Sequence, residues 1–142
     1  MRGISLIEVL VGLMLFSFGI LGLVGLQASM TEAQTDSKFR ADAAYLADEL
    51  VGIMWSQVGI NASDLSGLAS YTTAGCGSIP QCADWQAKLS SQLPQGTLSE
   101  LTVDANVASA TVGNVKITLQ WTMPNGSAHK YTTIGNVAPP KL

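Results

Sequence analysis

Apolar positions along the chain fall into two regimes. From Ile4 to Leu26 nearly every residue is apolar, and these 23 residues hold one charge, Glu8, and two serines, Ser5 and Ser17. Beyond Leu26 the apolar positions thin to a period. Phe39, Ala43, Leu46, Leu50, Ile53 and Met54 recur at three- and four-residue steps, the spacing that lays one stripe along an α-helix. Asp36 with Arg40, and Lys38 with Asp42, stand four apart on the polar side, where opposite charges support a helix. No proline or glycine interrupts Gln27 to Val51, and Gly59-Ile60-Asn61 supplies a stop. One continuous helix from Ile4 to Trp55 is expected, 52 residues long, rising about 78 Å at about 1.5 Å per residue.

After the helix the period changes. Residues 58–82 are rich in Gly, Ser, Thr, Asn and Ala without a sustained period and read as a long loop. Asp84 to Leu93, with Trp85, Leu89 and Leu93 at four-residue steps, predicts a short helix that Pro94-Gln95-Gly96 ends. Val115, Ile117, Leu119, Trp121 and Met123 alternate with Lys116, Thr118, Gln120 and Thr122, which predicts a half-buried strand. Pro124-Asn125-Gly126 turns it into a second strand, Ala128 to Ile134. Leu98 to Val103 and Val107 to Val112 are weaker strand candidates. The expected fold class is α+β, a long N-terminal helix packed on a small antiparallel sheet. Trp55 and Trp121, on apolar faces of helix and strand, are expected in the core, with Trp85 more open.

A helix over residues 4–26 rises about 35 Å, enough to cross a hydrocarbon core of about 30 Å. Arg2 precedes this segment, whereas the flank from Gln27 to Asp36 carries Glu32 and Asp36 and no Lys or Arg. The positive-inside bias therefore places the N-terminus in the cytoplasm. A cleavable secretory signal cut near Leu26-Gln27-Ala28 is the competing reading, but such signals have apolar cores of about 7–15 residues and lack a glutamate near the start. A carboxylate at membrane depth costs about 2.5–3.5 kcal/mol on insertion scales, so Glu8 calls for a partner.

The rest of the chain has the size of one small domain. Outside the span and Arg2, six Lys/Arg face nine Asp/Glu, a net charge of about −3. That balance gives nucleic-acid binding no electrostatic support. Cys76 and Cys82 sit in a Gly/Ser/Pro-rich stretch and read as a disulfide in an oxidising compartment. A metal or redox pair is the alternative, although the spacing is not C-x-x-C and the single histidine, His129, offers one further ligand. Nucleophilic catalysis needs a base beside the nucleophile, and no G-x-S-x-G, S-x-x-K or Gly-rich phosphate loop accompanies that histidine. No enzyme activity, cofactor, metal site or catalytic residue is therefore expected. Asn61-Ala62-Ser63 and Asn125-Gly126-Ser127 match the N-glycosylation pattern but read better as loop and hairpin residues.

Arg2-Gly3 followed by Ile4-Ser5-Leu6-Ile7-Glu8-Val9-Leu10 resembles the processing signal of type IV prepilins and pseudopilins: a short leader ending in glycine, then an apolar helix with glutamate fifth. The resemblance implies cleavage between Gly3 and Ile4 by prepilin peptidase, N-methylation of Ile4, and packing of the helix into a fibre core, with Glu8 as the assembly residue. Ile4 stands where phenylalanine is usual, and the span lacks the proline of major pilins. The spaced cysteines followed by Asp84-Trp85, Leu93-Pro94-x-Gly96 and a Lys116-Ile117-Thr118-Leu119-Gln120-Trp121 strand are similar to minor pilins of the PilV type, the type IV pilus modification proteins. The implied organisation is a leader over 1–3, a transmembrane helix over 4–26, its amphipathic continuation over 27–57 and an extracytoplasmic head over 58–142. The implied partners are prepilin peptidase, the inner membrane, other minor pilins, the major pilin and a tip adhesin, with the head passing from periplasm to extracellular pilus. A pseudopilin of a type II secretion system, using the same helix, is the second implied role. Gly19, Gly22 and Gly25 either soften the helix on leaving the bilayer, at about 1 kcal/mol each against alanine, or allow close helix packing.

Overall fold

A computed structural model describes residues 6–58, 65–104 and 112–139. Gly3, Ile4, the stop at Gly59-Ile60-Asn61, the Asn61 glycosylation pattern and most of the Val107 to Val112 strand candidate lie outside the described residues. The described elements are helix α1 (Leu6–Gln57), helix α2 (Pro80–Gln92) and strands β1 (Thr97–Asp104), β2 (Gly113–Thr122) and β3 (Ala128–Val137). The fold is α+β, and the chain divides into two compact units at Lys38/Phe39, inside α1.

In the first unit, α1 is exposed at every position from Leu6 to Gln34. It is long and apolar enough to cross a membrane by length and composition.

The second unit begins where α1 becomes one-sided. Ala43, Leu46, Ala47, Leu50 and Met54 are buried at steps of three and four, with Phe39, Val51 and Ile53 packed at the margin. Each buried Leu or Met side chain contributes about 1.5–3 kcal/mol relative to exposure. They meet Leu101, Val115, Ile117, Leu119, Trp121 and Val137 of the sheet, together with Trp85 and Leu89 of α2, in one core. Trp55 departs from expectation, being 40% exposed. It follows Met54 by one residue, about 100° around the helix, and so leaves the seam that Met54 occupies. Trp85, whose reading the sequence leaves open, is 2% exposed.

The sheet runs β1-β2-β3, both pairs antiparallel. Val115, Ile117, Leu119 and Trp121 of β2 point to the core, as the alternation predicts. β1 needs an irregularity to do the same. Leu98 pairs with Leu119 and Glu100 with Thr118, so Ser99 is an extra residue. Leu98 and Leu101 are an odd number apart, and this bulge turns both toward the core. The edge of β1 is closed by the loop before α2: Leu101 N–H donates to Thr73 Oγ1 at 2.8 Å, and the Thr73 hydroxyl donates to the Leu101 carbonyl at 3.4 Å. β3 extends to Val137, three residues past the expected end. In the hairpin, Gly126 N–H donates to the Met123 carbonyl at 2.8 Å, with Gly126 at φ 86°, a conformation glycine adopts without strain.

Residues 65–82, expected as loop, are more structured than their composition suggests. Single 3₁₀ turns form at Ser66–Leu68 and Cys76–Ser78, and Leu65, Leu68 and Tyr71 plug into the core at three-residue steps. The second helix starts at Pro80 rather than Asp84. Proline at the first helical position has its φ already set and gives up an N–H that has no helical partner there.

Gly135 fixes how closely α1 approaches the sheet. It pairs with Val115, and a Cβ at this position lies 3.2 Å from one Val51 methyl and 3.4 Å from the other. Gly135→Val is expected to destabilise the head by about 1–3 kcal/mol through overpacking. Chemical denaturation of the full chain in detergent, followed by tryptophan fluorescence, measures it. Adding Val51→Ala recovers part of the loss, whereas additive losses in the double variant contradict the contact.

Candidate functional site

Glu8 lies in the first described turn of α1. Leu6, Ile7, Val9 and Leu10 around it are 83, 65, 49 and 61% exposed, so the charge is embedded in an apolar surface. The next basic residue along α1 is Lys38, thirty positions on. Ser17, the other polar side chain between Leu6 and Leu26, donates its hydroxyl to the Leu13 carbonyl at 2.8 Å. That serine needs nothing from its surroundings. Among the described residues Glu8 has no such internal hydrogen bond. Gly3 and Ile4 lie outside the described residues. Gly19, Gly22 and Gly25 have open space where a Cβ would stand, leaving both readings of them in place.

In the head, Cys76 and Cys82 form a disulfide with their Cα atoms 5.2 Å apart. It joins the 3₁₀ turn at Cys76–Ser78 to the first turn of α2, and both cysteines are fully buried. The bond therefore sets where α2 starts. α2 in turn is fastened to α1. Trp85 Nε1–H donates to the Leu46 carbonyl at 2.9 Å in the core, and the Lys88 ammonium bonds both Glu49 oxygens at 2.7 Å while lying 5.3 Å from the centre of the Tyr45 ring. The Glu49 hydrogen bond holds the Lys88 ammonium above its ordinary value of 10.5, against the opposing effect of burial.

On the sheet face away from α1, Glu100 of β1 meets Lys116 of β2 at 2.8 Å. Thr118 reaches Glu100 at 3.4 Å and Thr132 of β3 at 3.1 Å, so a polar ladder crosses all three strands. The Lys116 hydrogen bond holds the Glu100 carboxyl below its ordinary value of 4.5, with Thr118 adding to it and burial opposing. Buried Tyr71 has its phenol raised by desolvation.

The only histidine is part of the hairpin. His129 stacks on Trp121 with ring centroids 5.7 Å apart and planes 16° from parallel, and its Nε2 lies 3.1 Å from Ser127 Oγ. Ser127 donates its N–H to Asn125 Oδ1 at 3.0 Å and, through its hydroxyl at 2.6 Å, donates to the same oxygen. The arrangement ties the turn to β3. Among the described residues no group of three or more His, Cys, Asp or Glu side chains is placed to hold a metal ion.

The structure thus separates the singled-out residues. Glu8 is in the first unit, and the Cys76–Cys82 pair is in the second. The ties between α1 and α2 were not foreseen. Lys88 and Glu49 are 39 positions apart, so no local spacing pairs them. Pro80, two residues before Cys82, was the available signal for an earlier helix start. No protein-family model, curated protein or solved structure matches the chain.

Replacing both cysteines by serine is expected to lower head stability by about 2–3 kcal/mol on the chain-entropy model, read as a lower denaturation midpoint in the full chain. An unchanged midpoint contradicts a structural role for the bond. The ion pairs give opposite pH signatures. A depressed carboxyl contributes stability that is present above pH 4.5 and lost as pH falls through the lowered value. A raised ammonium contributes stability that is present below pH 10.5 and lost as pH climbs through the raised value. Glu100→Gln should flatten only the acid limb of a stability-versus-pH curve, and Glu49→Gln should flatten the alkaline limb.

Proposed function

We propose that this chain is a filament subunit anchored by its N-terminal helix, which enters a fibre core while the head is displayed outside. In particular, we read it as a minor pilin of the PilV type in a type IV pilus. On this reading it acts with other minor pilins, the major pilin and a tip adhesin, after prepilin peptidase cuts between Gly3 and Ile4. The observation that carries the reading is the continuity of α1. A span with one carboxylate in its first turn runs, within a single helix of 52 residues, into the seam that organises the head. An enzyme has no need of such a rod, whereas a subunit that extracts its anchor from a bilayer and packs it among others does.

Within this reading Glu8 stands fifth after cleavage, and its partner is the N-terminal amine of a neighbouring subunit. Burying the carboxylate unpaired is costly, so pairing selects one axial position of the packed helices. The alternative is a carboxylate that reaches the cytoplasmic interface and is solvated there.

Two measurements separate these readings. Mass spectrometry of fibre-associated protein should give an N-terminus at methylated Ile4, whereas one near Ser29 would identify an ordinary signal peptide. Glu8→Ala should leave insertion and cleavage intact yet remove the protein from sheared fibres and weaken its crosslinking to other pilins. Wild-type incorporation of that variant would rule out the pairing role.

A further inference from the structure

We propose that residues 27–38 of α1 form a neck that opens locally in the unassembled protein, while the helix on either side stays closed. The inference rests on the reading of residues 6–26 as lipid-embedded. A helix keeps its hydrogen bonds for one of two external reasons here. Within lipid, an open backbone group has no water to bond, so the segment stays helical whatever its glycine content. From Phe39 onward, the apolar seam on the sheet and α2 holds the helix.

Residues 27–34 have neither support, and 35–38 have little of either: Thr35 and Asp36 are half-buried, and Glu32, Asp36 and Lys38 each keep a polar or charged interaction. Gln27 to Gln34 is exposed at every position, and the first buried residue of α1 is Ala43. Five of these twelve residues are Ser, Thr or Asp, which are poorer helix formers than alanine. Three of their hydroxyls donate to the carbonyl four residues earlier: Thr31 to Gln27 at 3.0 Å, Thr35 to Thr31 at 2.8 Å and Ser37 to Ala33 at 2.9 Å. Such bonds share a carbonyl already used by the helix and tend to bend it. Flanked by helix, such a stretch needs no nucleation, but without packing it is held by local propensity alone, which supplies little of a helix's stability in proteins. This places the weakest stretch of α1 after the glycines rather than on them, because lipid holds Gly19, Gly22 and Gly25 while nothing comparable holds Thr31 or Thr35.

Hydrogen exchange on the full chain in lipid nanodiscs tests this. Amides of 27–38 are expected to exchange about tenfold or more faster than those of 43–54. Trypsin should make its first cut after Lys38 or Arg40, ahead of Lys88, Lys116 and Lys130, and release the head. The quadruple variant Ser29→Ala, Thr31→Ala, Thr35→Ala, Ser37→Ala should slow both by several-fold without altering 43–54. Protection of 27–38 equal to that of 43–54, a first cut within the head, or unchanged rates in the quadruple variant would each overturn the neck. Rapid exchange over 6–26 would instead sink the membrane reading, and the neck is still judged from 27–38 against 43–54.

Discussion

The head depends on one seam. Between Ala43 and Met54, α1 presents its apolar stripe to the sheet, and each other element is placed by reference to it. The sheet supplies a complementary face only because β2 alternates strictly and β1 carries a bulge that brings Leu98 and Leu101 to the same side. Gly135 sets the distance of approach through Val51. The second helix is fixed to the same stretch by an indole on the Leu46 carbonyl and an ammonium on Glu49, both contacts within a single turn of α1.

The seam also explains why the head contains part of the helix. The boundary between compact units falls at Lys38/Phe39, where sidedness begins, and not at the end of the apolar span. A head cut from α1 at Gln57 would lose Ala43, Leu46, Ala47, Leu50 and Met54, about a quarter of the buried apolar residues among those described. Such a fragment would expose the inner face of its sheet.

Periodicity made α1, β2 and β3 legible, since each repeats its pattern over many residues. Shorter elements were harder. The loop that closes β1 shows its logic only in three dimensions: Leu65, Leu68 and Tyr71 are spaced by three, too few to stand out against the Gly, Ala and Ser between them. Trp55 and Trp85 show the limit of judging burial from residue type. One position on a helix separates seam from solvent, and an indole whose N–H finds a backbone carbonyl is as comfortable inside as an aliphatic side chain. Glu8 was legible as chemistry without geometry, because its meaning comes from what surrounds it rather than from what it touches.

The back-bonded hydroxyl of Ser17 has a bearing on how the span is read by other molecules. Since its proton is spent on the Leu13 carbonyl, Ser17 presents its surroundings with little more than a small apolar bump. Across the 21 residues from Leu6 to Leu26, the surface is then chemically monotone except at one place. Apolar side chains slide past one another at little cost, and a monotone helix tolerates many alignments. With a single polar mark near one end, a bundle of such helices has one alignment that differs in kind from the others.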